Sequence, residues 1–327
     1  MTIVYWDFLN GDDTNGDGSA GNPYKTLSKA TTGLTGGDEV RCAKSPDPAN
    51  LGCNLTFTDG SKSVATAADL TAVLGAKDFV SLNTAGETWW EIASINSTTI
   101  TLVAAYRGTG GTGTGYKRGI TGSIAGVTVA DGGGTTAVHT IAKSGASATS
   151  LLKLSFGWNL AGTPAQDGQT FFFQSNASKG GTGLYGSSKN YIEIDGARLG
   201  FLRYYYGIRG YYVNSWTVTS PTCNGNDIGI YATSGINWTV TSPTCNGNDH
   251  YGINTYSDCN GWTITNPICN SNVFYWIYSI TSSSWTVTSP TCNGNDIGIY
   301  ATNSNSWTIT SPTCKGNPSY GIGCYSC

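Results

Sequence analysis

Charge is scarce in this chain: Asp, Glu, Lys and Arg make up 11% of 327 residues and leave a net charge of -3. There is no basic stripe, which excludes the electrostatic footprint of a nucleic-acid binder. Long apolar runs are absent too, and the opening Met1-Thr2-Ile3-Val4-Tyr5-Trp6-Asp7 has no charged start followed by an apolar stretch. Neither membrane insertion nor a signal peptide is therefore expected. Histidine occurs only twice, as His139 and His250, too few for a triad or a metal cluster. His250 reads as a replacement of Ile228 in the sister coil. The glycine run from Gly108 to Gly115 lacks the Lys-Ser/Thr of a phosphate loop. No metal, nucleotide or other cofactor is expected.

What the chain does have is repetition. Trp216-Thr217-Val218-Thr219-Ser220-Pro221-Thr222-Cys223 returns in close variants from Trp238, Trp262, Trp285 and Trp307, at steps of 22, 24, 23 and 22 residues. A period of this size is one coil of a solenoid. Trp216 and Val218 share one parity and Thr217 and Thr219 the other, the period-two signature of a half-buried strand. A second strand follows in each unit at Gly229-Ile230-Tyr231 and its equivalents. Between them lie turns such as Asn224-Gly225-Asn226, where Gly and Asn accept left-handed backbone. Short strands with no room for crossover helices predict an all-β fold, a right-handed parallel β-helix of ~23-residue coils. Stacked coils place Trp, Val/Ile and Cys in interior columns and Thr in exterior ones.

The remaining segments divide at composition changes. Residues 1–53 read as an N-terminal cap and first strands, with a short helix over 26–33. Residues 54–120 read as an inserted small β module, with a short helix near Ala67–Leu74, strands at Phe79–Leu82, Trp89–Ile95 and Thr98–Leu102, and a flexible exit through Gly108–Gly115. Residues 121–182 read as irregular coils and 183–327 as regular ones. The chain stops a few residues into a new coil with no polar cap, so a partner, a symmetry mate or a shortened chain is expected there.

Candidate chemistry is sparse. Glu193 and Asp195 take the outward positions of Thr217 and Thr219 one coil earlier, which puts both carboxylates on one face about 7 Å apart, within glycosidase range. Thr217, Thr239, Thr263, Thr286 and Thr308 form one outward file, and Thr219, Thr241, Thr265, Thr288 and Thr310 a second. Tyr204, Tyr205, Tyr211 and Tyr212 read as exposed rings able to stack on sugar. The ten cysteines lack paired zinc spacing. Cys223, Cys245, Cys269, Cys292 and Cys314 are expected as an interior ladder of free thiols, Cys42 and Cys53 as a pair across the base of the insert, and Cys259, Cys324 and Cys327 as the more exposed remainder.

Gly18-Ser19 with Asn22-Pro23-Tyr24-Lys25-Thr26-Leu27 resembles the opening of pectate-lyase-like β-helix proteins. Glu87-Thr88-Trp89-Trp90-Glu91-Ile92-Ala93-Ser94-Ile95 followed by Thr99-Ile100-Thr101-Leu102 is similar to small β domains of bacteriophage tail and fibre proteins. Taken together, the chain resembles bacteriophage virion proteins of the tailspike, tail-fibre or capsid-surface type. That resemblance implies a virion subunit made in the host cytoplasm, assembled as a homotrimer with other virion proteins and meeting host-surface polysaccharide. A polysaccharide depolymerase using Glu193 and Asp195 is the enzymatic alternative. The Thr-x-Thr array also resembles the ice-binding face of some antifreeze proteins.

Overall fold

In a computed structural model, residues 1–327 are described except 8–9, 44–48, 75–78, 82–89, 103–110, 118–136, 161, 167–170, 175–179 and 327. Contacts divide the chain into Met1–Lys44 with Gly122–Cys327, and Ser45–Thr121. The first unit is a parallel β-solenoid. Its first sheet runs in the order Ile3–Trp6, Glu39–Ala43, Leu152–Asn159, Ile192–Asp195, then the five Thr-x-Thr strands from Thr217–Thr219 to Thr308–Thr310. Its second sheet runs from Ala137–Thr140 through Thr182–Ser187, Tyr206–Tyr211, Ile228–Thr233, Tyr251–Tyr256, Tyr275–Ile280 and Ile297–Thr302 to Tyr320–Tyr325. A short third sheet, Phe171–Gln174, Leu199–Leu202 and Thr222–Cys223, continues as single bridges through Thr244, Ile268, Thr291 and Thr313.

Register is fixed by identity. Thr217 pairs with Thr239, Thr263, Thr286 and Thr308 in turn, and Val218 with Val240, Ile264, Val287 and Ile309. A one-residue slip would turn every buried Val or Ile outward, so the alternation specifies the pairing. Trp216, Trp238, Trp262 and Trp285 are fully buried, and the column ends on partly buried Trp307. Neighbouring rings lie 4.6 to 5.0 Å apart, nearly parallel from Trp238 onward. Each indole N–H donates to a carbonyl at the corner of the preceding coil, for example Trp262 to Gly235 at 2.7 Å and Trp285 to Cys259 at 2.6 Å. A buried indole thus loses water without leaving its donor unpaired.

The corners follow from residues that accept positive φ. Gly225, Gly247, Gly294 and Gly316 turn at φ between 60 and 64°. A less legible corner uses Ser220, Ser242, Asn266, Ser289 and Ser311, all near φ 50°. Left-handed backbone is costly for non-glycine residues. Here the N–H of each of the first four continues the ladder to the next coil, as in Ser220 to Thr241 O at 2.7 Å. Two amide ladders secure the turns, one of them through Asn224, Asn246, Asn270 and Asn293, whose side-chain oxygens each accept from a backbone N–H of the next coil. Asn226, Asn248, Asn272 and Asn295 are buried, and each backbone N–H donates to the side-chain oxygen of the next coil's Asn.

The N-terminal helix spans Leu27–Thr31, capped by Thr26, whose hydroxyl accepts from Lys29 N at 3.2 Å. The second unit contains a closed barrel of Ala49–Phe57, Ser63–Thr66, Thr99–Leu102, Trp90–Ile95, Phe79–Ser81 and Gly111–Lys117. Three expectations are corrected there. The segment near Ala67–Leu74 forms turns, not a helix. Gly111–Lys117, expected as part of a flexible exit, is a strand paired with Ala49–Phe57. Its Gly115 is needed because a Cβ would come within 2.6 Å of Leu55 Cγ. Cys42 and Cys53 are free thiols rather than a pair. Trp89 and the Gly108–Gly110 part of that exit lie outside the described residues.

Candidate functional site

Two outward faces carry the side chains of interest. On the first sheet, exposed Thr239, Thr263 and Thr286 lie in register with half-buried Thr217. Half-buried Thr219, Thr241, Thr265 and Thr288 form the neighbouring file, and Thr308 and Thr310 end the two files. Towards the N-terminus both files become charged. Glu193 and Asp195 pair in register with Thr217 and Thr219 on one side and with Lys153 and Ser155 on the other.

Glu193 does not stand free: Lys153 Nζ lies 3.3 Å from its Oε1, with both side chains about a third exposed. The sequence reading missed Glu39, which pairs with Lys153 from the opposite strand. Glu39 is buried. It accepts from Ser155 Oγ at 2.6 Å and Arg41 Nε at 3.2 Å, while the Arg41 guanidinium rests 3.9 Å above the Trp158 ring. These carboxylates are held by cations and hydroxyls, as in a structural polar network.

The second sheet presents tyrosine. Its middle outward file runs Tyr185, Arg209, Tyr231, Asn254, Tyr278, Tyr300, and a flanking file contains Tyr206, Tyr251, Tyr275 and Tyr320. The rings contact across coils: Tyr251 on Tyr275 at 5.6 Å, Tyr275 and Tyr278 at 4.9 Å, Tyr275 on Tyr300 at 5.5 Å. Arg209 lies within 5.9 Å of four ring centroids, those of Tyr185, Tyr206, Tyr211 and Tyr231. Burial, reinforced by neighbouring tyrosines, pushes the Tyr251 hydroxyl up to about 12 and also raises Tyr275 and Tyr278. The ladder therefore offers O–H groups at neutral pH. At its rim, Tyr212 and Tyr256 are 53% and 50% exposed.

Of the four tyrosines singled out from sequence, Tyr204 must be withdrawn as a contact residue. It is 2% exposed and packs edge-on against Phe201 at 6.0 Å. Its backbone N–H donates to Asn226 Oδ1, the bond that Asn226 itself makes to Asn248, so Tyr204 fills the buried asparagine position one coil earlier. Tyr205 is half-buried against Tyr206, and Tyr211 lies edge-on to Tyr212 at 4.4 Å.

Cys223, Cys245, Cys269 and Cys292 are buried free thiols and Cys314 is partly buried. Burial pushes the Cys223 and Cys269 thiols up. Cys259, expected among the more exposed, is fully buried and receives the Gly235 N–H at 3.4 Å, while Cys324 is disulfide-bonded. Cys327 lies outside the described residues.

The family described as "Periplasmic copper-binding protein (NosD)" matches residues 165–327, just under half of the chain. Among the described residues no cluster of three or more His, Cys, Asp or Glu could hold a metal ion, and Cys223, Cys245, Cys269 and Cys292 are buried inside the coils. No curated protein matches the sequence. Solved structures similar to the chain include the GH136 lacto-N-biosidase of Eubacterium ramulus, at 9% identity and TM-score 0.45, covering 95% of this chain and 55% of that one. The tailspike protein gp49 of Pseudomonas phage LKA1 is 11% identical at TM-score 0.27, covering 83% and 48%. The Gp54 tailspike of Acinetobacter baumannii bacteriophage AP22, solved with A. baumannii capsular saccharide, is 8% identical at TM-score 0.25, covering 84% and 47%. The chain spans about half the length of these proteins. Among the described residues, no helix is long and apolar enough to cross a membrane.

Proposed function

We propose that this protein is an adhesive subunit of a phage virion, assembled as a homotrimer, and that it lays the tyrosine face of its second sheet against host-surface polysaccharide. One observation carries this reading: an outward face on which tyrosines cluster in two groups, Tyr185, Tyr206 and Tyr231 around Arg209 and Tyr251, Tyr275, Tyr278 and Tyr300 beyond Asn254, on a chain otherwise poor in charge. A tyrosine ring combines an apolar body with a polar tip, matching the alternation of C–H and O–H groups on a pyranose. Tyr212 and Tyr256 supply half-exposed rings. Tyr251, Tyr275, Tyr278 and Tyr300 are pre-ordered by contact with one another, so little side-chain entropy is lost on binding.

Replacing Tyr212 and Tyr256 together by Ala should reduce attachment to host cells by about tenfold or more, on the order of the loss of one interface anchor. The oligomer mass by light scattering should stay that of the parent, because both rings lie on the rim. Attachment equal to the parent's would end the adhesive assignment of this face.

A further inference from the structure

The corner entering the second sheet is not the same in every coil. Asn226-Asp227 leads directly into Ile228, and Asn295-Asp296 into Ile297. The two coils between contain one residue more, because Tyr251 and Tyr275, not His250 and Phe274, pair in the register of Ile228 and Ile297. His250 is therefore an inserted residue and not a substitute for Ile228, which corrects the sequence reading.

The insertion pushes the imidazole out over the carboxylate of the preceding coil. His250 Nδ1 lies 2.5 Å from Asp227 Oδ1. The Asp227 side chain is only 10% exposed, whereas that of His250 is 44% exposed. Tyr205 flanks the same carboxylate from the coil before, and Asp227 helps to raise its phenol. Phe274, the inserted residue of the following coil, stacks beneath the imidazole at 5.2 Å and 20°. The Tyr251 ring lies 5.9 Å away on the ladder side.

A carboxylate at Nδ1 fixes the tautomer and leaves Nε2 as the free basic nitrogen. We propose that His250, oriented by Asp227, is a general base that activates water against an acyl ester on a saccharide held by the tyrosine face. This inference rests on the glycan reading above. In the reaction, Nε2 takes a proton from water and the oxygen forms a bond to the ester carbonyl carbon. The bond from that carbon to the sugar oxygen then breaks, and the imidazolium returns the proton to the departing alkoxide. Ester and water become acid and alcohol with no further reactant. The Tyr251 ring, 5.9 Å from the imidazole, carries a hydroxyl that keeps its proton at neutral pH and can donate a hydrogen bond to the bound sugar.

Charge selects the substrate class. Residues 224–230, 246–253, 270–277 and 293–299 include Asp227, Asp249 and Asp296 but no Lys or Arg. At this corner a uronate would meet these carboxylates, the guanidinium of Arg209 on the neighbouring face being held among four tyrosine rings, and the enolate of an eliminative cleavage needs a counter-charge. A neutral, O-acylated sugar fits.

The test uses the full-length protein with p-nitrophenyl acetate and O-acetylated xylan as probes, alongside attachment to host cells. The parent should release acetate from both. His250→Gln should lower the rate by roughly 10²-fold or more, the usual contribution of a general base, with attachment unchanged. Asp227 acts through His250, so Asp227→Asn should lower the rate and also shift the imidazole from the Nδ1–H to the Nε2–H tautomer. That shift is read by nitrogen NMR, where a chain with two histidines gives resolvable signals. No acetate release by a parent that still attaches to cells would overturn the catalytic inference and leave adhesion standing. Release unaffected by His250→Gln, or an Nε2–H tautomer in the parent, would overturn it equally. If attachment fails in the parent while acetate is released, the adhesive reading is the one that falls.

Discussion

Trp238 lies on Trp262 with ring centroids 4.6 Å apart and planes within 7° of parallel, although 24 residues of chain separate them. That spacing is one inter-strand step, so the indoles repeat the sheet's own period. Each ring covers the face of the next and sends its N–H to a corner carbonyl. The column therefore couples each of these five coils to its neighbours in the stack, and stability is transmitted along the axis rather than shared through a common centre.

Removing one member should break the array in two. Trp262→Ala is expected to cost about 3–5 kcal/mol, the range for deleting a large buried aromatic. It should also turn one urea transition into two, because coils on either side lose their shared contact. Thr263→Ala, one residue away and exposed, should cost about 0.5 kcal/mol or less. A single unshifted transition in Trp262→Ala would contradict the column's role.

Acid should act first through His139. It occupies the head of the interior column continued by Leu184 and Ile208, contacts Trp6 edge-on at 4.9 Å, and burial lowers its pKa to about 3. The unfolded chain binds this proton near pH 6.5, the folded chain only near 3. Its contribution is complete above about 6.5 and is lost as pH falls towards 3, a swing of roughly 5 kcal/mol. Urea unfolding at pH 7 and pH 4 should show the loss, and His139→Ile, which restores the column's aliphatic character, should remove most of it. An equal acid loss in that variant would assign the effect elsewhere.

Alkali should reach the tyrosine ladder last. With Tyr251 pushed up to about 12, the folded state holds its proton between about pH 10 and 12 after the unfolded chain has released it. Stability should therefore fall as pH rises through that interval. Ultraviolet titration of the native protein should show an ordinary phase near 10 and a late phase, with the late phase reduced in Tyr251→Phe. One phase in the native protein, matching that in denaturant, would mean that the ladder is not buried as described.

Legibility in the sequence followed repetition. The Trp, Val/Ile, Cys and Thr columns were readable because identical residues recur at one step, and stacking then leaves the register no choice. Tyr204 was misjudged because three consecutive tyrosines, Tyr204-Tyr205-Tyr206, leave nothing to mark which ring takes the buried asparagine's place. Glu39 was missed because the chain departs for the inserted unit before returning to lay Lys153 beside it. The corners at Ser220, Ser242, Ser289 and Ser311 near φ 50° were missed because Ser does not signal left-handed backbone as Gly and Asn do.

The sequence by itself determined the coil period, the inward parity and the identity of each stacked column, since these depend only on spacing and polarity along the strand. Only the tertiary structure decided that Asp227 meets His250 and that Glu39, Lys153 and Glu193 share one surface. Such contacts cross between coils, where a single inserted residue changes which side chains meet. That choice is made by the register of the following strand, not by any residue adjacent in the chain.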